Sequence, residues 1–171
     1  MDFKTIEGAT AIFKSVGGLG AENCIFVAFR NTNKDTGFTT VLGGAVGAFA
    51  GGMVRGMNES EKFKEAANAS AWLVNYTEKG LGIIPLKASG IQLTIKIEKT
   101  EPQPDKYVFI PKENIAEIEV KNYALLNKKT QSIKWVFSDG VKLYWAAKIV
   151  EKAIPYQEAN FTAFMNRFKK K

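Results

Sequence analysis

Residues 133–145 read IKWVFSDGVKLYW and carry the strongest structural signal in this chain of 171 residues. Apolar and polar side chains alternate on both sides of Ser138-Asp139-Gly140, which is typical of two antiparallel strands joined by a tight turn. A two-residue Asp-Gly loop would place the apolar side chains of one strand opposite the polar side chains of the other. A three-residue loop, with Gly140 in the left-handed position, avoids this conflict. It predicts three cross-strand pairs: Phe137 with Val141, Trp135 with Leu143, and Ile133 with Trp145.

A helix is predicted after this hairpin. Pro155 marks its start, and four apolar side chains then recur at the i, i+3, i+4, i+7 spacing of a single helical stripe. These side chains are Phe161, Phe164, Met165 and Phe168. Because an apolar stripe of this kind must be buried, we expect it to pack on the apolar face of the sheet.

The sequence upstream of the hairpin predicts further strands without helices between them. Five segments alternate or are rich in apolar residues, at positions 72–76, 81–86, 91–97, 107–110 and 118–122. Residues 91–97 alternate most cleanly of all. With the hairpin, these segments make about seven strands from residue 71 onward. Consecutive strands without crossover helices pair antiparallel, so the fold class is α+β, with an antiparallel sheet closed into a barrel and capped by the C-terminal helix.

Residues 1–70 are expected to form an N-terminal extension of the same single domain, 1–171. Residues 2–15 predict a short amphipathic helix and residues 22–30 predict a strand. A second helix is expected from Asn58, which would cap it, to about Ser70, with Phe63 facing inward.

The segment 36–54 contains six glycines and no charged residue. A helix over residues 38–57 would place Gly43, Gly47 and Gly51 on one side, a spacing that lets another backbone approach closely. Each glycine in a helix interior costs about 1 kcal/mol relative to alanine, so this helix needs a partner. The partner is open between the rest of the domain, a second copy of the chain and a membrane, and a glycine-rich loop without a helix is the remaining alternative.

Two segments resemble bacterial pleckstrin-homology-like domains. Residues 72–86, WLVNYTEKGLGIIPL, are similar to the opening hairpin of that family, and residues 110–118, IPKENIAEI, are similar to its recurring Ile-Pro-x-x-x-Ile-x-x-Ile segment. The turn FSDG at 137–140, followed by a strand and a terminal helix, fits the same pattern. The resemblance covers residues 71–171. It implies a small antiparallel β-barrel capped by the C-terminal helix, and it carries over no catalytic residue.

The composition gives little support for catalysis. The chain has no histidine and one cysteine, Cys24, which lies in an apolar segment where we expect a buried thiol. Glu117 and Glu119 share one face of a strand, and we expect that face to be exposed to solvent. No phosphate-binding glycine motif follows a strand. We therefore expect no enzyme, no metal or other cofactor, and no small-molecule substrate.

Positive charge is concentrated toward the C-terminal end. Residues 1–120 carry 13 Lys and Arg against 14 Asp and Glu, whereas residues 121–171 carry 11 against 3. The candidate anion-binding patch consists of Lys128, Lys129, Lys134 and Lys142. We expect the first two in a loop spanning residues 125–131. Lysines near an anionic membrane contribute about 1 kcal/mol each, and solvated lysines without a ligand are the alternative.

Together these features predict a non-catalytic binding or scaffolding module. Its first candidate partner is another protein or a second copy of the chain, bound through Gly43, Gly47 and Gly51. The alternative is peripheral binding to anionic membrane lipid through the four lysines, and nucleic acid is not expected as a partner. Residues 2–16 lack the basic start and apolar run of a signal peptide, so a cytoplasmic location is expected, with membrane association open.

Overall fold

The computed structural model describes residues 2–31, 57–89, 94–138 and 140–168. Within these ranges lie three α-helices: α1 (Ile6–Ser15), α2 (Met57–Asn68) and α3 (Gln157–Phe168). The strands there are β1 (Asn23–Arg30), β2 (Ala71–Thr77), β3 (Gly80–Ala88), β4 (Thr100–Pro102), β5 (Val108–Pro111), β6 (Ile115–Ala124), β7 (Asn127–Phe137) and β8 (Lys142–Lys148). The glycine-rich helix predicted over residues 38–57 lies outside the described residues up to position 56, so it stays a prediction.

The strands form one antiparallel sheet in the order β4-β3-β2-β1-β8-β7-β6, with β5 also pairing with β3. This confirms the α+β class, the antiparallel sheet and the C-terminal helix. The sheet is not closed into a barrel, so that part of the prediction is wrong. Among the described strands, β6 ends one side of the sheet, while β4 and β5 end the other.

The reason for the open sheet lies between β5 and β6. A 3₁₀ turn at Lys112–Asn114 connects the two strands and is tied to both sides of the gap. The Lys112 amide donates to the Lys79 carbonyl at 2.9 Å, while the Ser138 amide donates to the Asn114 carbonyl at 3.0 Å. The Ser138 hydroxyl also donates to the Glu113 carbonyl at 3.2 Å. The turn therefore bridges the two edges of the sheet with isolated hydrogen bonds where a closed barrel would have a continuous ladder.

The hydrogen-bonded ladder between β1 and β8 is short. Among the described residues their ladder contains two pairs, Phe29 with Ala146 and Arg30 with Trp145. Farther along, α3 fills the space between the strands. The buried Gln157 side chain accepts from the Val27 amide at 2.8 Å and donates to the Val27 and Lys148 carbonyls, both at 2.9 Å. A side-chain amide thus replaces a strand as the partner of β1.

The β7–β8 hairpin has the register that the sequence predicts. Ile133 pairs with Trp145 and Trp135 pairs with Leu143. The Phe137 amide donates to the Val141 carbonyl at 2.9 Å, which closes the three-residue loop. Gly140 has φ of +86°, the left-handed conformation that favours glycine.

The sheet is covered on both faces at one end and on one face at the other. Helix α3 buries Phe161, Phe164 and Met165 against the inner face of the sheet, in an aromatic core that includes the stacked pair Trp72 and Trp145, with ring centroids 4.8 Å apart. Helix α1 covers the opposite face of β1–β3, and every residue of β2 is buried. The outer face of β6–β8 is left as the more accessible surface, and the candidate sites lie on this face and at the end of the β6–β7 hairpin.

One strand prediction fails over its described part, and one loop prediction is too long. The strand expected at 91–97 is not formed by its described part, because Ile97–Lys99 is a 3₁₀ turn and the ladder with β3 begins at Thr100. Ile97 belongs to this turn, and its side chain is buried in the core. The apolar residue of the alternating pattern therefore packs in the core although it does not lie in a strand. The loop expected at 125–131 is confined to two residues, because Asn127 already opens β7. The polar residues that follow it extend a hairpin beyond the core.

Candidate functional site

The structure separates the four predicted lysines into two groups. Lys134 pairs with Tyr144 and Lys142 pairs with Val136, so these two lysines are diagonal neighbours on the outer face, as the register predicts. Lys128 and Lys129 lie at the opposite end of β7. Six residues of strand separate Lys128 from Lys134, which corresponds to about 20 Å. The four side chains therefore do not form one continuous patch.

Lys134 lines a shallow depression on the outer face. This depression has a volume of about 360 Å³ and is lined by Glu119, Lys121, Ser132, Lys134 and Tyr144. Glu119 and Lys121 form an ion pair at 3.0 Å. Glu117 is exposed, as the sequence predicts, while Glu119 is half-buried. Two carboxylates therefore share this face with the lysines and offset part of their positive charge.

The floor of this depression is polar. The Asn31 Nδ2 donates to the Ser132 Oγ at 3.1 Å, and both side chains are buried. These contacts fix Ser132 within the sheet. The depression thus combines one lysine, two hydroxyl groups and an ion pair, a set that does not select one ligand class.

The second group belongs to the end of the β6–β7 hairpin, residues 124–129, which we call the β6–β7 tip. Ala124 pairs with Asn127, so Leu125 and Leu126 form the turn. Their side chains are 91% and 94% exposed. The sequence contains a signal for this exposed apolar turn, because two adjacent leucines are followed by Asn-Lys-Lys. The assignment of these residues to an ordinary loop hides that signal.

The backbone of the β6–β7 tip is held by local hydrogen bonds. The Asn127 Oδ1 accepts from the Lys129 amide at 3.2 Å and from the Thr130 amide at 3.1 Å. The Gln131 Nε2 donates to the Lys128 carbonyl at 3.1 Å, and the Ile149 amide donates to the Lys129 carbonyl at 2.8 Å. The lysines and leucines therefore project from an ordered backbone.

A groove lies beside the tip. It has a volume of about 680 Å³ and is lined on one side by Lys128 and Lys129 and on the other by Lys148, Ile149 and Val150. Lys148 is engaged: its Nζ pairs with Glu151 at 2.9 Å and lies 5.6 Å from the Phe29 ring centroid. Lys128 and Lys129 are exposed and make no ion pair with any described residue. Their charge is available to an external anion.

The remaining candidate features are the cysteine, metal ligands, a membrane-spanning helix and the three glycines. Cys24 is buried as expected, and this burial raises the pKa of its thiol. Residues 2–31, 57–89, 94–138 and 140–168 contain no group of three metal-ligating side chains. In those same ranges no helix has the length and apolar character needed to cross a bilayer. Gly43, Gly47 and Gly51 lie outside the described residues, so self-association through them stays a prediction.

No protein-family model matches this chain, and no match was found among curated proteins or solved structures.

Proposed function

We propose that this protein is a non-catalytic binding module that docks peripherally on an anionic membrane surface through the β6–β7 tip. The observation that carries the proposal is a pair of exposed lysines, Lys128 and Lys129, that make no ion pair with any described residue and lie at an ordered end of the sheet. Lys148, which also lines the groove, is paired with Glu151, so the free charge of this end comes from Lys128 and Lys129. The location that this function implies is the cytoplasmic face of a membrane.

The shape of the site favours a flat partner. Lys128 and Lys129 lie in the first residues of β7, directly behind the two-residue turn of a hairpin, which suits contact with a surface rather than enclosure of a small molecule. A nucleic-acid backbone needs a longer run of positive charge, and the adjoining outer face carries Glu117 and Glu119. An anionic bilayer therefore fits this end of the molecule better than nucleic acid does.

We also propose that the chain is a divergent pleckstrin-homology-like domain with an open sheet. The order of elements supports this assignment: the β2–β3 hairpin ends in the Pro85 step, residues 110–118 connect β5 to β6, and α3 packs on the sheet. The gap between β5 and β6 is the main departure from a closed barrel.

Two unpaired lysines near an anionic surface contribute about 2 kcal/mol, which corresponds to about 30-fold in the partition coefficient. The test is co-sedimentation with vesicles of phosphatidylcholine alone or with one quarter phosphatidylglycerol, at 0.05 to 0.5 M NaCl. We expect binding to the anionic vesicles that weakens as salt increases.

A matched pair of variants isolates the site. Lys128→Glu/Lys129→Glu should weaken binding to anionic vesicles at least tenfold, because it removes two favourable charges and adds two unfavourable ones. Lys62→Glu/Lys64→Glu makes the same change in net charge at exposed positions on α2 and should alter binding less than threefold. Equal binding of the wild type to neutral and anionic vesicles at 0.05 M NaCl would contradict the proposal.

A further inference from the structure

Exposed apolar side chains cluster at one end of the molecule. Among the described residues, four large apolar side chains are exposed: Phe109, Leu125, Leu126 and Val150. Three of them lie at the β6–β7 tip or the groove beside it, and the two leucines are the most exposed of all. Adjacent exposed apolar side chains beside cations are typical of an interaction surface.

The fold itself does not need leucine at these positions. The β6–β7 ladder ends with Ala124 and Asn127, and the local hydrogen bonds at the tip come from the Asn127 and Gln131 side chains. Two-residue hairpin turns are usually formed by polar residues and glycine, such as Asn-Gly. Leu125 and Leu126 touch no core cluster. Their role therefore lies outside the packing of the described residues.

The lysines are spaced behind the leucines in a way that fits a bilayer interface. Lys128 and Lys129 follow Leu126 by two and three residues, which places them about 7 to 10 Å farther from the end of the hairpin. Interfacial elements bury their apolar face about 5–10 Å into the boundary between headgroups and acyl chains. Lysine ammonium groups reach headgroup phosphates from that level while their stems lie along apolar surface.

We infer that Leu125 and Leu126 insert into the interface of an anionic lipid bilayer while Lys128 and Lys129 contact its headgroup phosphates. The inference rests on the proposed function for its partner, and it adds a salt-resistant component and a defined orientation. In this orientation the β6–β7 tip points into the membrane. An apolar groove on another protein would suit the leucines but gives no reason for the adjacent exposed lysines.

The test replaces the turn without weakening the hairpin. Neither Leu125 nor Leu126 has a positive φ, and asparagine and glycine also adopt such a conformation, so Leu125→Asn/Leu126→Gly is expected to fold, as circular dichroism can verify. We expect its binding to anionic vesicles at 0.1 M NaCl to fall about 100-fold, because full burial of two leucines is lost. The wild type should retain measurable binding at 0.5 M NaCl, and the variant should retain none.

Monolayers separate insertion from charge. Injected beneath a phosphatidylcholine monolayer, the wild type and Lys128→Glu/Lys129→Glu should raise the surface pressure, whereas Leu125→Asn/Leu126→Gly should not. If the turn variant binds anionic vesicles as the wild type does, insertion is overturned and charge-driven docking stands. If the wild type binds no vesicle and raises no pressure, both proposals fail. A concentration-dependent dimer that the turn substitutions abolish, in the absence of lipid binding, would assign the leucines to a second copy of the chain.

Discussion

Gln157 acts as a strand partner for Val27. Its side-chain amide accepts from the Val27 amide and donates to the Val27 carbonyl, and it also bonds the Lys148 carbonyl across the gap to β8. Asn160, one helical turn later, accepts from the Ile25 amide at 3.4 Å. Two side chains of α3 therefore satisfy backbone groups of β1 that a neighbouring strand would otherwise bind.

This relationship makes Gln157→Leu a severe substitution. It leaves one buried amide and two carbonyls without their partner, at about 1–3 kcal/mol for each unsatisfied group. We expect a loss of about 3–5 kcal/mol in the free energy of unfolding, measured by urea denaturation. Glu158→Gln, at the next and exposed position, should change stability by less than about 0.5 kcal/mol. A Gln157→Leu loss below about 1 kcal/mol would mean that Gln157 is not a true partner of β1.

The hydrogen bonds of the Glu78 carboxylate lead us to expect a loss of stability in acid. This carboxylate accepts from the Ala21 amide at 2.9 Å and from the Glu22 amide at 3.1 Å, and these bonds lower its pKa. A lowered folded-state pKa gives stability that is present above the unfolded pKa, about 4.3, and is lost as the pH falls through the folded value. Glu78→Gln should therefore be less stable than the wild type at pH 7.

The pH series supplies the control for Glu78. Thermal unfolding of both proteins between pH 7 and pH 3 should show midpoints that converge as the wild-type carboxyl becomes protonated. A constant difference over this range would show that the carboxylate charge has no part in the effect.

Tyr107 predicts a loss of stability in alkali. Burial raises its pKa to about 12, and its ring packs edge-on against Phe13 with centroids 6.3 Å apart. Since the folded pKa is raised, the stabilisation is complete below about pH 10 and is lost as the pH rises from about 10 toward 12. Tyr107→Phe should lose less stability across this window than the wild type, as measured by urea denaturation at pH 9 and pH 11.

Absorbance at 295 nm gives an independent check on Tyr107. The wild type should show a phenol that ionises near pH 12, and this step should be missing from Tyr107→Phe. Burial also raises the pKa values of Tyr76 and Tyr156, so part of the alkaline transition should persist in the variant. A Tyr107 that titrates near pH 10 would contradict its burial beside Phe13.

The glycine-rich segment gives a separate prediction about oligomeric state. If Gly43, Gly47 and Gly51 line a contact between two copies, Gly47→Leu should prevent the close approach and convert an oligomer to a monomer. Light scattering on the wild type and the variant measures this. A monomer in both would remove self-association through this segment.

Local patterns predict much of the fold, and long-range pairing is where they fail. The alternation around Gly140 contains the register of β7 and β8, because a slip by one residue would expose Trp135 and Trp145. The stripe on α3 likewise follows from its spacing. The central position of β1 has no such signal, because its neighbours β2 and β8 lie far apart in sequence. Whether the sheet closes into a barrel depends on where β5 and β6 end, and the periodicity of the sequence does not predict these ends.

The candidate site was hidden for a different reason. Sequence patterns identify side chains that must be buried, and Leu125 and Leu126 look like ordinary apolar residues until the turn places them outside. The lysines are visible as charge, but only the strand register shows that Lys128 and Lys134 lie at opposite ends of β7. Gln157 reads as a helix residue, and its role depends on the separation of β1 from β8.

The junction between β1 and β8 also constrains the time order of folding. The amide of Val27 and the side chain that binds it are 130 positions apart in the chain. During synthesis, the edge of β1 that faces Gln157 has no partner until nearly all of the described domain has been made. Contacts of such high sequence separation slow the search for the native state. We therefore expect the junction between β1 and β8 to form late in folding, when α3 binds to both strands.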